Sequence, residues 1–250
     1  MDLSVLYLPG LVVLGWLAGY LINYLADVLP YTRQLSRPVC LECGVEIPPR
    51  RYLLLQPCSQ CGKRRSWRTW IVQVAAVAVV FALWFYPSTR LTYWPGLLLL
   101  IYFGLVAVID IEHRLILHPV SIFGAVLGVG LGIWLHGWQA TLLGGIAGFA
   151  IMLALYWLGG WFANLLARMR HQENNEVALG FGDVNLSGVL GLLLGWPGIT
   201  AGLLGAILLG GLGSLIVIVT MLVSRRYQAF VAIPYAPFLI ISAVLLLYRS

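Results

Sequence analysis

Apolar residues along this 250-residue chain fall into long continuous blocks separated by short polar, glycine or proline breaks. Blocks long enough to cross roughly 30 Å of hydrocarbon, at about 1.5 Å per helical residue, lie near residues 4–29, 70–86, 95–112, 119–135, 140–166, 184–197, 199–223 and 234–248. The breaks carry turn chemistry or charge: Leu29-Pro30, Tyr86-Pro87, Glu112 to Arg114, His136-Gly137, Arg168 to Gly182, Trp196-Pro197-Gly198 and Ser224 to Arg226. This pattern predicts an all-α integral membrane protein, a polytopic bundle of about eight transmembrane helices. The sixth block is short and glycine-rich. The first is too long for the apolar core of a signal peptide and follows an acidic start (Met1, Asp2), so it reads as a retained span.

Composition agrees, since 61% hydrophobic and 10% charged residues with a mean hydropathy of +0.92 cannot close a soluble globule. The formal charge of +6 would by itself raise nucleic acid as a partner, but in a membrane protein the position of the basic residues matters more than their sum. Thirteen of the fifteen Lys and Arg residues fall in the segments 30–69, 113–118, 167–183 and 224–233, which lie on one side of the bilayer; Arg90 and Arg249 are the exceptions. The positive-inside rule then places both termini outside and the large loop in the cytosol, with membrane lipids as partners and no nucleic acid. The basic pairs Arg64-Arg65 and Arg225-Arg226 read as anchors for anionic lipid.

The only four cysteines form two C-x-x-C pairs, Cys40/Cys43 and Cys58/Cys61, fourteen residues apart, and a glycine follows each (Gly44, Gly62). Four thiolates on two tight turns satisfy a closed tetrahedral zinc site. Two disulfides are the alternative, disfavoured in a reducing compartment. The expected role is structural, because a loop of about 40 residues with few apolar side chains lacks a core of its own.

Acids inside or at the edge of spans are costly and so are functional candidates. Asp110 ends the run G-L-V-A-V-I-D and Asp183 closes G-F-G-D, both on the side carrying the basic loops. Gly180 and Gly182 let the backbone leave helical geometry and bring a neighbouring element or an extended substrate close to Asp183. Taken singly, Asp110 reads equally as a charge at a helix end and Asp183 as a helix N-cap. Together they read as a dyad sharing one proton, one carboxylate activating water and the other polarising a carbonyl. Glu112 falls on another side of the helix and reads as solvated; His113 and His118 are given no catalytic role.

These segments resemble the type IV prepilin peptidases, a family of membrane aspartyl proteases, over nearly the whole chain. The carriers are G-Y-L-I-N-Y-L-A-D-V-L-P (Gly19 to Pro30), the two cysteine pairs, A-V-I-D-I-E-H-R-L-I (Ala107 to Ile116), G-F-G-D-V-N-L (Gly180 to Leu186) and I-P-Y-A-P-F-L (Ile233 to Leu239). The resemblance implies catalytic roles for Asp110 and Asp183 and a supporting, substrate-groove role for Pro234 and Pro237. It also implies cleavage of a short basic leader from prepilins or pseudopilins after a glycine, at the cytoplasmic face of the bacterial inner membrane. Bifunctional members then methylate the new N-terminus with S-adenosylmethionine. The implied organisation is a first span (1–29), a zinc-ribbon-like loop associated with methylation (30–69) and a peptidase region (70–250). Three positions depart from the family: Ile116-Leu117-His118-Pro119 where Ile-Pro-Asp is usual, Asn185 where Lys is usual, and Gln73 where a glutamate is usual. If that glutamate matters chemically, the chain cleaves but methylates poorly, and Gln73→Glu raises methylation; if it only binds or shapes the loop, methylation is retained, the reading that the intact zinc loop favours. A transporter and a non-catalytic pilus or secretion assembly factor are the rival readings.

Overall fold

The computed structural model describes residues 3–40, 42–170, 180–224 and 234–248, and among them regular structure is entirely helical. Nine helices follow in order among the described residues: α1 (Leu3–Thr32), α2 (Pro49–Leu53), α3 (Trp67–Phe85), α4 (Tyr93–His113), α5 (His118–His136), α6 (Trp138–Arg170), α7 (Phe181–Leu194), α8 (Gly198–Val223) and α9 (Ala236–Tyr248). Six are long and apolar enough to cross a membrane, and α7 and α9 are shorter apolar helices. The eight blocks read from the sequence each become one helix. The expected break at Leu29-Pro30 does not occur, because α1 runs through Pro30 to Thr32. The Thr32 hydroxyl donates to the Val28 carbonyl at 3.0 Å and the Arg33 N–H to the Leu29 carbonyl at 3.0 Å. The last turn is thereby closed despite the N–H that proline lacks.

The chain divides into two compact units, Met1–Ile109 and Asp110–Ser250. In the first, α1 packs along α3, and the seam is held by buried amides. Gln73 is 1% exposed; its Nε2 donates to the Trp16 carbonyl at 2.6 Å. Asn23 Nδ2 donates to the Thr69 carbonyl at 3.2 Å one turn further along. The loop between α1 and α3 contains α2 and has a small core after all: Cys40, Ile47, Tyr52 and Cys58, packed against Tyr20 and Tyr24 of α1. Borrowing apolar surface from a membrane helix is how a loop with so few apolar residues of its own acquires an interior. The Tyr24 hydroxyl donates to the Ser36 carbonyl at 2.8 Å and the Trp16 indole N–H to the Leu53 carbonyl at 3.1 Å.

One cluster fastens the loop further. Tyr52 is fully buried and its hydroxyl donates to the Asp27 carboxylate, which also pairs with Arg68. Burial first, then the adjacent Asp27 charge, holds the Tyr52 phenol well above the usual tyrosine range, so it stays a donor. Arg65 stacks over the same ring, its guanidinium carbon 4.1 Å from the centroid. Arg65 therefore serves the loop's packing rather than acting purely as a lipid anchor, while Arg64 is exposed. Arg225-Arg226 lies outside the described residues.

In the second unit α7 is the central helix, touching α5, α6, α8 and α9. The short, glycine-rich block is thus the most enclosed helix of the unit, with ten of its fourteen residues buried. Its glycines explain the crossing with α6: a Cβ on Gly144 would lie 2.3 Å from the Gly191 carbonyl oxygen, and one on Gly191 would lie 2.1 Å from the Gly144 oxygen. Only two residues without side chains let the backbones meet at that distance. A helix enclosed by other helices has no need to match the bilayer thickness, which is why fourteen residues suffice here.

Candidate active site and metal site

Asp110 sits one turn from the C-terminal end of α4 and is 5% exposed; Asp183 is the third residue of α7 and is 8% exposed. Both belong to the second unit, and Asp183 lies within the electrostatic field of Asp110. The two aspartates singled out in the sequence thus lie in one unit, near enough for the charge of Asp110 to act on Asp183. The two acids are held mainly by backbone donors. The Ala236 N–H donates to Asp110 Oδ2 at 3.2 Å, and the Gly180 N–H donates to the Asp183 carboxylate. The Arg114 charge reaches Asp110 from the turn after α4, and among the described residues neither aspartate forms an ion pair.

The two glycines before Asp183 have different jobs. Gly180 is the extended residue before α7, at φ −74° and ψ 139°, a conformation open to any residue; its missing side chain leaves the space in front of Asp183 clear. Gly182 lies inside the helix, contrary to the expectation that both glycines let the chain depart from it. A Cβ there would fall 2.9 Å from Ile116 Cβ. Its smallness thus admits the α4–α5 turn against the start of α7.

Pro234 and Pro237 bracket the segment that delivers the Ala236 N–H. Prolines carry no N–H, so the donors here are those of Tyr235 and Ala236. The first N–H groups of α9 lack helical partners, and one of them is aimed at Asp110. Tyr235 and Ala236 are the site residues that sequence reasoning missed. The Tyr235 phenol lies within electrostatic reach of Asp183. The signal was available, since a proline at the second residue of an apolar helix marks a helix start and hence free N–H groups. Glu112 is exposed, as read from the sequence.

The four cysteines of the first unit converge. Their sulfurs all lie within 4.8 Å of one another, with Cys40–Cys61 at 3.6 Å and Cys43–Cys58 at 3.5 Å. A disulfide needs about 2.0 Å, whereas four thiolates about 2.3 Å from a zinc ion would sit about 3.8 Å apart. The two C-x-x-C turns are near copies. Gly44 N–H donates to the Cys40 carbonyl at 2.8 Å and Gly62 N–H to the Cys58 carbonyl at 3.1 Å; Cys40 N–H and Cys58 N–H reach the Val45 and Lys63 carbonyls at 2.8 and 3.0 Å. Gly44 (φ 71°) and Gly62 (φ 68°) take the left-handed conformation that closes each turn. Backbone N–H groups from Cys43 and Glu42 lower the Cys40 thiol, and those from Cys61 and Gln60 bring Cys58 down to about 6. Donors aimed at these two sulfurs favour thiolate, the form that binds metal, while at Cys43 and Cys61 burial and the neighbouring thiols outweigh the backbone donors and hold the thiols up.

Residues 97–215 match the type IV leader peptidase family. A prepilin leader peptidase/N-methyltransferase of Pectobacterium carotovorum subsp. carotovorum is 27% identical over 267 residues, covering 93% of this chain and 89% of the relative. Another prepilin leader peptidase/N-methyltransferase, of Pseudomonas aeruginosa, is 28% identical over 222 residues, covering 85% and 71%. No solved structure matches the chain. The matched stretch holds both buried aspartates, the turn after the first and the glycine pair before the second.

Proposed function

We propose that this protein is an aspartyl endopeptidase that removes the short basic leader of prepilins or pseudopilins, with Asp110 and Asp183 as its catalytic pair. The observation that carries the reading is two buried carboxyls in one unit, the charge of one acting on the other, held by backbone N–H groups and without an ion pair among the described residues. Such a pair holds one proton between them. The ionised member takes a proton from water as its oxygen attacks the scissile carbonyl carbon, and the protonated member donates to the carbonyl oxygen. Collapse of the tetrahedral intermediate breaks the C–N bond as a proton passes to the leaving amine. Ala236 fixes the orientation of Asp110, Gly180 that of Asp183, and the side-chain-free backbone at Gly180 leaves room for an extended peptide.

The basic-residue distribution supports an inner-membrane protein with both termini outside and the aspartates at the cytoplasmic face. Zinc is the ion the cysteine cluster fits. Cys40, Cys43, Cys58 and Cys61 would hold it in a closed site, where it supplies cross-linking of the loop and no open position for chemistry. The segments 1–29, 30–69 and 70–250 serve as first span, zinc loop and peptidase region. Both relatives are named N-methyltransferases as well. Methylation here would need S-adenosylmethionine and a group to take the amine's proton. Gln73 is not that group, since its NH2 donates across the α1–α3 seam and an amide carries no basic site at neutral pH.

Co-expression with a prepilin, read by mass spectrometry of the pilin N-terminus, tests the peptidase. Leader loss with the wild type and retention with Asp110→Asn or Asp183→Asn is the expected result. Leader loss that persists in either variant refutes the pair.

A further inference from the structure

The loop between α1 and α3 reaches far along α1, and the register of the two helices gives the depth. Gly15 packs on Val77 and Gly19 on Gln73, and Asn23 bonds to Thr69, so each step along α1 is matched by a step back along α3. On that scale Trp67, the first residue of α3, is level with Leu25, and Ala76 is level with Trp16. α3 has 19 residues, about 28 Å, and needs all of them to cross the hydrocarbon. Trp67, 78% exposed, then marks the membrane edge, where tryptophan is favoured, and the Asp27–Arg68 pair sits beside it. Trp16 lies about 13 Å inside that edge, the length of helix from Trp16 to Leu25.

The loop is bonded to α1 at that depth. The Trp16 indole N–H donates to the Leu53 carbonyl, and the Tyr52 ring stands edge-on to Tyr20 and Tyr24 at 5.6 and 6.3 Å. The leucines that close α2, Leu53 to Leu55, therefore lie below the level of the headgroups, and Leu54 is 62% exposed there. Hydrocarbon tolerates a turn only where its backbone groups are already paired. The N–H groups of Leu54, Leu55 and Gln56 donate to the carbonyls of Arg50, Tyr52 and Arg51 at 3.2, 3.1 and 3.0 Å, and Trp16 takes the Leu53 carbonyl. One turn earlier, Arg50 and Arg51 are exposed and form no ion pair among the described residues. Arginine lays its stem along apolar surface and carries its guanidinium toward water. From a turn below the headgroups, that reach ends among lipid phosphates.

We propose that α2 and the leucine turn after it form a membrane-inserted anchor, in which Leu54 enters the acyl chains and Arg50 and Arg51 bind the phosphates of anionic phospholipid. The anchor holds the cysteine site against the bilayer surface, because Tyr52 shares one small core with Cys40 and Cys58. This inference goes beyond the peptidase reading and does not depend on it.

The test is photocrosslinking of the full-length protein in vesicles of equal parts phosphatidylglycerol and phosphatidylcholine. A photoreactive residue replaces Leu54 in one preparation and Gln60, on the second cysteine turn, in another; both positions are exposed, so neither change disturbs the interior. Mass spectrometry should find acyl-chain adducts at position 54 and none at position 60. No lipid adduct at 54, equal yields at both positions, or adducts joining 54 to a second copy of this chain overturn the proposal. Arg50→Gln combined with Arg51→Gln isolates the charge. With both arginines present, phosphatidylglycerol adducts at 54 should exceed phosphatidylcholine adducts roughly fivefold, the effect of about one basic residue at an anionic surface; in the double variant the ratio should return to that of the vesicle. An even ratio with both arginines present, or a raised ratio that survives their loss, overturns the phosphate contact. No substrate enters the measurement, so a protein that cleaves no prepilin counts against the peptidase reading alone.

Discussion

The two units bury polar groups in opposite ways. In the first, Asp27 is met by Arg68 and by the Tyr52 hydroxyl, and the amides of Gln73 and Asn23 each donate to a backbone carbonyl of the facing helix. Charge is matched by charge and each amide N–H finds a carbonyl, so these groups hold a shape, although the Asn23 and Gln73 amide oxygens have no partner among the described residues. In the second unit, Asp110 and Asp183 are more deeply buried than Asp27 yet form no ion pair among the described residues. Backbone N–H groups orient them, and each is left in the field of the other acid. A fully compensated carboxylate is a poor acid or base, whereas a buried pair without an ion-pair partner retains a proton to exchange. The contrast sets Asp27, met by a cation, apart from Asp110 and Asp183, which the proposed function takes as the reacting pair.

The sharpest test of that contrast is removal of charge at each acid. Asp110→Asn and Asp183→Asn should each lower leader cleavage by about 10²-fold to 10⁴-fold or more while the purified protein retains its helical circular dichroism. Asp27→Asn should leave the chemistry intact per folded molecule. Its cost is stability, about 3 kcal/mol in thermal or denaturant unfolding, because it strands a partly buried guanidinium. Cleavage lost in Asp27→Asn with unchanged stability would reverse the assignment of the two regions.

The cysteine site belongs with the structural region. Elemental analysis should find about one zinc per chain, and Cys58→Ser should bring this close to zero and loosen the loop, read as proteolysis between α1 and α3. Residual cleavage by the folded fraction is expected, since the hydrolytic groups lie in the other unit. Next comes Gln73→Glu. A methyl-transfer role for an acid at this position predicts more methylation. The buried bond from Gln73 Nε2 to the Trp16 carbonyl instead predicts a loss of about 2 kcal/mol with no gain in methylated N-termini by mass spectrometry. The smallest effect is expected at Glu112→Gln, within about 0.5 kcal/mol of wild type and with unchanged cleavage, because its side chain is exposed.

Much of this was legible in the linear chain. Long apolar blocks specify membrane helices because each block satisfies its own backbone hydrogen bonds, and that requirement is local. The paired C-x-x-C turns announce a metal site because both ligands of each pair and the closing glycine lie within one turn. The two aspartates were identifiable because acids among apolar residues are few. Non-local relations were not legible. That α7 is the core of its unit depends on which helices surround it, and its shortness reads as a defect until the Gly144–Gly191 crossing is seen. The donation from Ala236 to Asp110 joins residues 126 positions apart, and no spacing rule anticipates it. The roles of Gln73 and Arg65 likewise depend on Trp16 and Tyr52 across a seam. Sequence alone determined which segments form the long apolar helices and which residues are candidates for chemistry, since hydrophobicity and ligand chemistry are properties of the residues themselves. Tertiary structure decided which acid meets a cation and which are met by backbone N–H groups, because that outcome depends on partners brought from elsewhere in the chain.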